Sequence, residues 1–289
     1  MTDRPFCSEV SAESGESLRA TASRIDNWIL VEYRGVWSPD PLAGSAFSDA
    51  VKAHLRAQLA ARPRSRLLFI RRPERRREPG PVCFFGSTPE RGAQFFRFDL
   101  ESPEDLLQVD FSGGTRVEDP LFMVCTHGKR DRCCARYGRP LYDALRDQVA
   151  EESLWQATHV GGDRFAGNLV VFPQGLYFGR VGRAEAWPLV DELMAGRLYL
   201  DCYRGRCCYS FPVQAADEAI RRETGMTGID DVALASVASV HEDAWRVELV
   251  AGGEKYELDV VAELGEPTYL TCNAEALHRP RRFRARLRG

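Results

Sequence analysis

The stretch LFMVCTHGKRDRCCARYGRPLYDALRDQVAEE, residues 121–152, indicates both the fold of the chain and the position of its chemistry. Its first residues, LFMVC, are continuously apolar, which is typical of a buried strand. Its last part, RPLYDALRDQVAEE, has apolar residues at helical spacing, with Pro140 in the first turn of the predicted helix. Between these parts, residues 124–141 hold three cysteines, one histidine and five Lys or Arg residues. A strand end that gathers thiols and positive charge predicts a functional site on an α/β fold.

The predicted order of strands and helices occurs twice. In the first half, WILVEY is a strand, a helix with Ser48 as its N-cap follows, and RLLFIRR, VCFFG and FFRFDL are strands. In the second half, PLFMVCT is a strand, RPLYDALRDQVAEE a helix, LWQATH a strand and NLVVFPQGLYFGRV a hairpin. This β-α-β-β-β order suits a sheet of thioredoxin type. We therefore predict two similar thioredoxin-like α/β halves, over residues 21–118 and 119–210.

The two ends of the chain differ from this pattern. Residues 1–20 are polar and rich in Ser and Glu, which predicts a disordered N-terminus. From residue 211 a helix is followed by VALASVASV, AWRVELVAGGEKYELDVV and TYLTC, which predict a small antiparallel sheet with a Gly-Gly turn. We assign residues 211–289 to an appended C-terminal α+β unit. Its basic tail, RPRRFRARLRG, is expected to be a solvated end rather than a binding arm.

The composition excludes several classes of function. The chain has 289 residues, is 44% hydrophobic and 28% charged, and has a formal net charge of −3, so it shows no overall signal for nucleic acid or membrane binding. The N-terminal residues hold no secretory signal and no apolar stretch approaches about twenty residues, so we expect a cytoplasmic protein.

The cysteine content points to a metal site or to catalysis. In a reducing compartment, nine cysteines are not expected to form a disulfide framework, and the odd number argues the same way. Clustered cysteines then indicate metal binding or catalysis. Cys7, Cys83 and Cys272 stand apart in the sequence and are interpreted as incidental or buried thiols.

Two loops carry the candidate ligands. Cys125 ends a predicted strand and Cys134 follows nine positions later, across a polar loop that contains a glycine. Two thiolates from one loop can hold a metal centre, although C-x8-C is wider than most zinc knuckles. The next strand end supplies HVGGDRFAGN, in which His159 and Asp163 lie four residues apart around two glycines. A turn at these glycines would let both side chains face the same centre.

The segments CTHGKRDRCCARYGRPL and THVGGDRFAGNLVVFPQGLYFGRV resemble the sucrase/ferredoxin-like family, whose members are thioredoxin-like [2Fe–2S] ferredoxins. The resemblance is strong over residues 121–181 and looser through WILVEYRG and YRGRCCY. It implies one [2Fe–2S] cluster, with two cysteines on one iron and two histidines on the other. Cys125 and Cys134 match the cysteine pair and His159 matches the first histidine, whereas Asp163 stands where the family has its second histidine.

The identity of the fourth ligand is therefore open at this point. If Asp163 is the ligand, its carboxylate returns one negative charge and should lower the reduction potential relative to a bis-histidine cluster. Otherwise Asp163 orients His159 by accepting its other ring N–H. The fourth ligand would then be Cys133, His127, Cys207 or Cys208. We favour Asp163 as the ligand.

These features predict an electron carrier rather than a catalyst. The chain lacks a G-x-G-x-x-G or P-loop motif, so we expect a separate reductase and separate acceptor redox proteins as partners. A rim of basic residues would attract acidic partners. These residues are Lys129, Arg130, Arg132, Arg136 and Arg139.

Two other functions fit the same residues. One is an oxidoreductase that uses Cys125, Cys133 or Cys134 as a nucleophile whose pKa is lowered by the arginines. The other is a structural zinc module that serves interaction, since two thiolates, an imidazole and a carboxylate are acceptable zinc ligands. The sequence does not predict an oligomeric state.

Overall fold

The computed structural model describes residues 5–73, 80–111 and 113–288. The helices are α1 (Cys7–Glu13), α2 (Asp49–Ala60), α3 (Arg132–Leu145), α4 (Arg183–Met194) and α5 (Phe211–Thr224). The first strands are β1 (Asn27–Glu32), β2 (Ser65–Arg71), β3 (Val82–Ser87), β4 (Gln94–Asp99), β5 (Thr115–Arg116), β6 (Leu121–Cys125) and β7 (Leu154–Ala157). The others are β8 (Leu169–Phe172), β9 (Leu176–Phe178), β10 (Tyr203–Arg206), β11 (Val232–His241), β12 (Ala244–Ala251), β13 (Glu254–Leu264) and β14 (Arg281–Leu287).

Ten strands form one mixed sheet in the order β10-β9-β8-β6-β7-β2-β1-β3-β4-β5. Strands β2-β1-β3-β4 repeat the order of β7-β6-β8-β9, and in each set the first pair is parallel and the other pairs are antiparallel. Each set also has a helix, α2 or α3, between its two parallel strands. The predicted pair of similar thioredoxin-like α/β halves is therefore confirmed. The predicted boundaries at 118/119 and 210/211 fall between β5 and β6 and at the N-cap of α5.

The two halves share one core. They join edge to edge through β2 and β7, where Ile70 lies opposite Ala157. Trp28 on β1 contacts Phe172 on β8 at 4.8 Å between ring centroids. In a flat sheet these two strands would lie about 19 Å apart, at four strand spacings. The sheet must therefore curl until the faces of the two halves meet, and the buried aromatic residues fill the space between them.

The helix α3 begins earlier than its sequence pattern indicates. The prediction placed Pro140 in the first turn, but α3 starts at Arg132 and Pro140 lies inside it. Asp131 is the N-cap, and its side chain accepts a hydrogen bond from the backbone N–H of Cys133. This cap stabilises an early start, even though Pro140 has no N–H to offer the preceding turn. As a result, Cys133 and Cys134 lie in the first turn of the helix.

The prediction of a disordered N-terminus is wrong for the part of residues 1–20 that the structure describes, from residue 5 onward. Residues 7–13 form α1, and the side chains of Cys7, Ser11 and Glu16 are buried. Glu16 accepts a hydrogen bond from Ser11 at 2.7 Å and pairs with Arg164 at 2.9 Å. Ser11 and Glu16, two of the polar residues that suggested solvent exposure, are buried with their polar groups paired.

The C-terminal unit packs α5 against a second sheet in the order β11-β12-β13-β14. The predicted hairpin is confirmed, because Val247 lies opposite Leu258 and Leu249 lies opposite Tyr256. The predicted strand TYLTC is wrong. Its residues lie between β13 and β14 and form only an isolated bridge, from Thr268 to His278.

The basic tail forms the strand β14, and most of its arginine side chains are exposed to solvent, as predicted for a solvated end. Residues of β14 pair antiparallel with β13, so that Arg284 lies opposite Val261 and Arg286 opposite Asp259. Arginine side chains of the tail meet carboxylates of β13, as in the pair of Arg284 and Glu263 at 3.1 Å. The positive charge of the tail is thus offset by the acidic strand beside it. Among the described residues, no helix is both long and apolar enough to cross a membrane.

Candidate metal centre

A strand end and a helix start bring the two cysteines together. Cys125 is the last residue of β6, and Cys134 is in the first turn of α3. The helix packs against this strand end at Gly138, where an added Cβ atom would overlap the carbonyl oxygen of Cys125. Only glycine allows so close an approach. The packing of one helix on one strand therefore sets the separation of the two thiols.

The loop after β7 supplies the other two residues. Gly161 and Gly162 have φ values of +102° and +82°, a conformation that favours glycine. The turn reverses the chain so that His159 Nδ1 lies 2.9 Å from Asp163 Oδ1. The predicted role of the two glycines, which was to bring His159 and Asp163 to the same centre, agrees with this geometry.

The two loops converge on one point. Cys125, Cys134 and His159 each offer a donor atom, and these atoms all lie within 4.8 Å of one another. Cys134 Sγ is 3.8 Å from His159 Nδ1 and 3.3 Å from Asp163 Oδ1. The two cysteines and Asp163 are buried, whereas 22% of the His159 side chain is exposed. The two cysteines and Asp163 are therefore shielded from solvent, and the partly exposed ring of His159 connects the group to the surface.

The site stabilises a thiolate beside a positive imidazole. A hydrogen bond from the Cys134 thiol, with help from His159, lowers the pKa of Cys125 well below its usual range despite burial. The same hydrogen bond and burial raise the pKa of Cys134. Burial alone would lower the pKa of His159, but hydrogen bonds to Asp163 and Cys125 outweigh it and raise the pKa to about 9. A metal ion that binds here would have to displace the protons of His159 and Cys134, because its ligands are the neutral imidazole and the thiolate.

The alternative fourth ligands lie outside this donor group. His127 is buried, its Nε2 lies 2.9 Å from the carbonyl oxygen of Ser38, and its ring packs edge-on against Trp37. Cys133 faces Cys7 and Cys272 instead. Cys207 donates to Thr88 Oγ1 at 3.1 Å, and its neighbour Cys208 packs with the core of the C-terminal unit.

Arg204 supports the site and was missed by the sequence analysis. It is fully buried, and it donates to the carbonyl oxygen of Gly161 at 3.0 Å and to Asn168 Oδ1 at 2.7 Å. Asn168 in turn donates to the carbonyl oxygen of Gly162 at 2.8 Å. These bonds hold the glycine turn that places His159 and Asp163. The sequence feature that could have indicated Arg204 is the short apolar-flanked segment YRGR. Arginines in strands usually face solvent, so this feature does not by itself predict a buried arginine.

Comparison with known proteins identifies the family. The sucrase/ferredoxin-like profile matches residues 18–205. The chain belongs to the sucrase/ferredoxin-like family. Both loops of the donor group and the first thioredoxin-like half lie within the matched residues, and the second half does so as far as residue 205.

Relatives of this sucrase/ferredoxin-like chain carry the name altered inheritance of mitochondria protein 32. The protein from Meyerozyma guilliermondii is 37% identical over 100 residues, which cover 31% of this chain and 35% of that protein. The protein from Debaryomyces hansenii is 30% identical over 108 residues, which cover 34% and 39%. The chain thus matches little more than a third of the length of these relatives.

Two solved structures show a distant likeness. Both are variants of the thioredoxin-like [2Fe–2S] ferredoxin from Aquifex aeolicus. The Cys55Ser variant has 17% identity and a TM-score of 0.27, and the match covers 29% of this chain and 97% of the ferredoxin. The Cys59Ser variant has 18% identity and a TM-score of 0.26 over the same shares.

The donor set can be tested against a [2Fe–2S] cluster. Such a cluster needs two ligands on each of two irons, and thiolates and imidazoles are its usual ligands. The donors here come in two pairs from two loops, Cys125 with Cys134 and His159 with Asp163. The donor types and their pairing fit the cluster, with the carboxylate of Asp163 as the one unusual member.

Proposed function

We propose that this chain is an electron-transfer protein that holds one [2Fe–2S] cluster with Cys125, Cys134, His159 and Asp163. The observation that carries the proposal is the convergence of two thiols and an imidazole from separate loops, with their donor atoms within 4.8 Å of one another. When bound, such a cluster supplies a one-electron redox couple. Cys125 and Cys134 would hold the inner iron and His159 and Asp163 the outer one.

Each residue of the site has a distinct part in this function. The buried cysteines keep water from the inner end of the site. The exposed edge of His159 gives a partner protein the shortest approach to the centre, and its ring can also carry a proton. Asp163 contributes a negative charge, which favours the oxidised state and keeps the potential below that of a bis-histidine cluster.

The surface around α3 suits an acidic partner. Four basic residues are exposed here: Lys129 and Arg130 in the loop between β6 and α3, and Arg136 and Arg139 on α3. Positive charge near an electron-transfer site raises the rate of encounter with acidic proteins. We therefore propose a separate reductase and an acceptor with acidic docking surfaces. All nine cysteines are free thiols, which suits a reducing compartment such as the cytoplasm.

Metal and sulfide analysis of the anaerobically purified chain tests the proposal. We expect two irons and two sulfides per chain and a paramagnetic signal after reduction with dithionite. Cys125→Ser and Cys134→Ser should each lose the iron. Cys208→Ser, a half-buried cysteine outside the site, is the matched control and should keep it. Full iron content in both site variants would refute the proposal.

A single zinc ion at the same residues is the second candidate function. The observation that favours it is the compactness of the donor group, since three donors within 4.8 Å can close around one ion. A colourless protein that loses one zinc in Cys125→Ser would support this structural role. The thiol-enzyme alternative has less support, because Cys125, Cys133 and Cys134 are all buried and a nucleophile must reach its substrate.

A further inference from the structure

A second group of sulfur ligands lies beside the first. The Sγ atoms of Cys7, Cys133 and Cys272 form a triangle with sides of 3.5, 3.3 and 3.7 Å. All three residues are buried, and a carboxylate oxygen of Asp131 completes a set of four donors within 4.8 Å of one another. Cys7 and Cys272, which the sequence predicts to be incidental or buried thiols, are both buried and face Cys133.

We propose that Cys7, Cys133, Cys272 and Asp131 bind one structural Zn²⁺ ion. Structural zinc sites are tetrahedral and closed, with thiolates as the commonest ligands and carboxylates as accepted ones. A zinc–sulfur bond of about 2.3 Å in a tetrahedron gives sulfur–sulfur distances of about 3.8 Å. The three sides of the triangle approach this value within a few tenths of an ångström. One zinc ion would therefore need only a small expansion of the site.

The symmetry of the triangle favours a shared ion over a disulfide. A disulfide joins two sulfurs at about 2.0 Å and leaves a third cysteine unused. Here no pair of the three is set apart, because each sulfur lies at a similar distance from the other two. Phe6, Tyr137 and Tyr269 pack around the group and exclude water from it.

The contacts around the sulfurs prepare them for a cation. Asp131 Oδ1 accepts the N–H of Cys133 at 2.8 Å and Oδ2 accepts the N–H of Cys272 at 2.7 Å, so the carboxylate already orients two of the ligands. Each oxygen keeps a second lone pair for the metal. Ser8 Oγ donates to Cys133 Sγ at 3.2 Å. Hydrogen bonds of this kind fix metal ligands in place and stabilise thiolates.

Zinc binding would release the protons of the three thiols, because the metal ligand is the thiolate. Three thiolates and one carboxylate then carry four negative charges around the ion. Zn²⁺ cancels half of this charge. Cys133 lies at the N-terminus of α3, and the positive end of the helix dipole offsets part of the remainder.

The site would connect three distant parts of the chain. Cys7 is in α1, which has seven residues and is too short to persist alone. Cys272 is in residues 265–280, a segment of turns and bends with a single bridge from Thr268 to His278. Both segments would be fixed on the first turn of α3. This role is independent of the proposed electron transfer.

Metal analysis of paired variants tests the site. We expect the full chain to hold about one zinc, and Cys7→Ser and Cys272→Ser to lower zinc affinity by more than about tenfold while their iron content stays unchanged. Cys125→Ser should show the reverse, with its iron lost and its zinc kept. Cys208→Ser should keep both metals. A wild-type chain that holds zinc but no iron would thus refute the cluster and leave the zinc site standing.

A measurement on the wild-type chain covers the case in which a variant fails to fold. Zinc is removed with a chelator, and Co²⁺ is added to the protein. Strong thiolate-to-cobalt charge-transfer absorption and tetrahedral d–d bands, both displaced by Zn²⁺, are the expected result. A chain that takes up neither ion, equal zinc in the wild type and Cys272→Ser, or a disulfide among the three cysteines in freshly purified protein would overturn the proposal.

Discussion

Asp163 stands where the resemblance to the sucrase/ferredoxin-like family predicts the second cluster-binding histidine. Its carboxylate oxygen lies within hydrogen-bonding distance of both His159 Nδ1 and Cys134 Sγ. Under the proposed ligation, Asp163→His replaces an anionic ligand by a neutral one and should raise the midpoint potential by on the order of 100 mV. A redox titration followed by electron paramagnetic resonance measures this change.

Asp163→Asn is the matched control, because asparagine keeps an oxygen that can accept the His159 ring proton but loses the charge. If Asp163 is a ligand, both variants change the spectrum of the reduced protein. An unchanged potential and spectrum in Asp163→His would show that Asp163 orients His159 and that another group completes the site.

At the level of single residues, a contact can be predicted from sequence when its two residues lie close together along the chain. His159 and Asp163 could be paired from sequence because four residues and two glycines define their turn. Cys133 meets Cys7 across 126 positions and Cys272 across 139, and no local pattern encodes such contacts. Arg204 is likewise separated from Asn168 by 36 positions. Long-range contacts of this kind require the fold itself.

At the scale of the elements, the packing of α3 against the end of β6 requires a glycine at position 138. Alanine usually stabilises a helix relative to glycine by about 1 kcal/mol. We expect the opposite sign for Gly138→Ala, a loss of about 1–3 kcal/mol, because its Cβ would overlap the carbonyl oxygen of Cys125. The helix would have to move away from β6 and separate Cys125 from Cys134. Urea unfolding and iron content measure the two effects.

Arg139→Ala provides the control for this helix. Arg139 is the next residue along α3 and is exposed, so its replacement should change neither stability nor iron content appreciably. A Gly138→Ala variant that is more stable than the wild type and retains full iron would show that α3 does not set the spacing of the thiols.

The helix α1 depends on a buried ion pair. Glu16 follows α1 and pairs with Arg164, next to Asp163, and the two side chains are 3% and 14% exposed. Glu16→Ala leaves the guanidinium without its partner and should cost about 3 kcal/mol of folding free energy. Limited proteolysis should then cleave within residues 5–20 faster than in the wild type.

Glu13→Ala is the comparison for this effect, since Glu13 is an exposed residue of the same helix. It should unfold and resist protease as the wild type does. Equal behaviour of the two variants would mean that the ion pair does not hold the N-terminal segment in place.

The elements differ in how well their sequence patterns predict them. The short strands β5 and β10 are not predicted, whereas the other strands of both halves and the helix α2, with its Ser48 cap, follow from apolar patterns and a local cap signal. The start of α3 does not, because Arg132, Arg136 and Arg139 face solvent and hide the periodicity of its first turns. The strand β14 was missed for a related reason, since arginines that pair with acidic residues of β13 resemble a solvated tail.

For the molecule as a whole, the repeated strand order was predictable but the way the halves assemble was not. Two β-α-β-β-β patterns leave the pairing of their edges undetermined. The pairing of β2 with β7 involves only two residue pairs, and contacts such as that of Trp28 with Phe172 complete the assembly. Because the core is shared, neither half can bury its apolar face alone.

Loss of β14 should destabilise the C-terminal sheet more than the ten-stranded sheet, to which α5 is tied by the hydrogen bonds of Gln214 to Ala22. The C-terminal sheet has its own apolar cluster with α5, and β14 closes it through Phe283, which stacks on Phe211 of α5 at 5.6 Å. Deletion of residues 281–289 removes this strand and exposes the edge of β13. We expect a new unfolding transition at lower temperature in calorimetry, with iron content unchanged, because Cys125, Cys134, His159 and Asp163 all belong to the larger sheet or its loops.

Arg284→Ala tests whether the charged side chains of β14, rather than its backbone pairing and Phe283, stabilise the C-terminal unit. It removes the exposed pair with Glu263 but keeps the backbone pairing and Phe283, so calorimetry should show little change. Two results would contradict a selective destabilisation of the C-terminal sheet. One is a deletion variant that loses its iron together with the C-terminal unit, which would couple the sheet to the unit. The other is a deletion variant with the wild-type transition, which would mean that β14 contributes nothing to the stability of the unit.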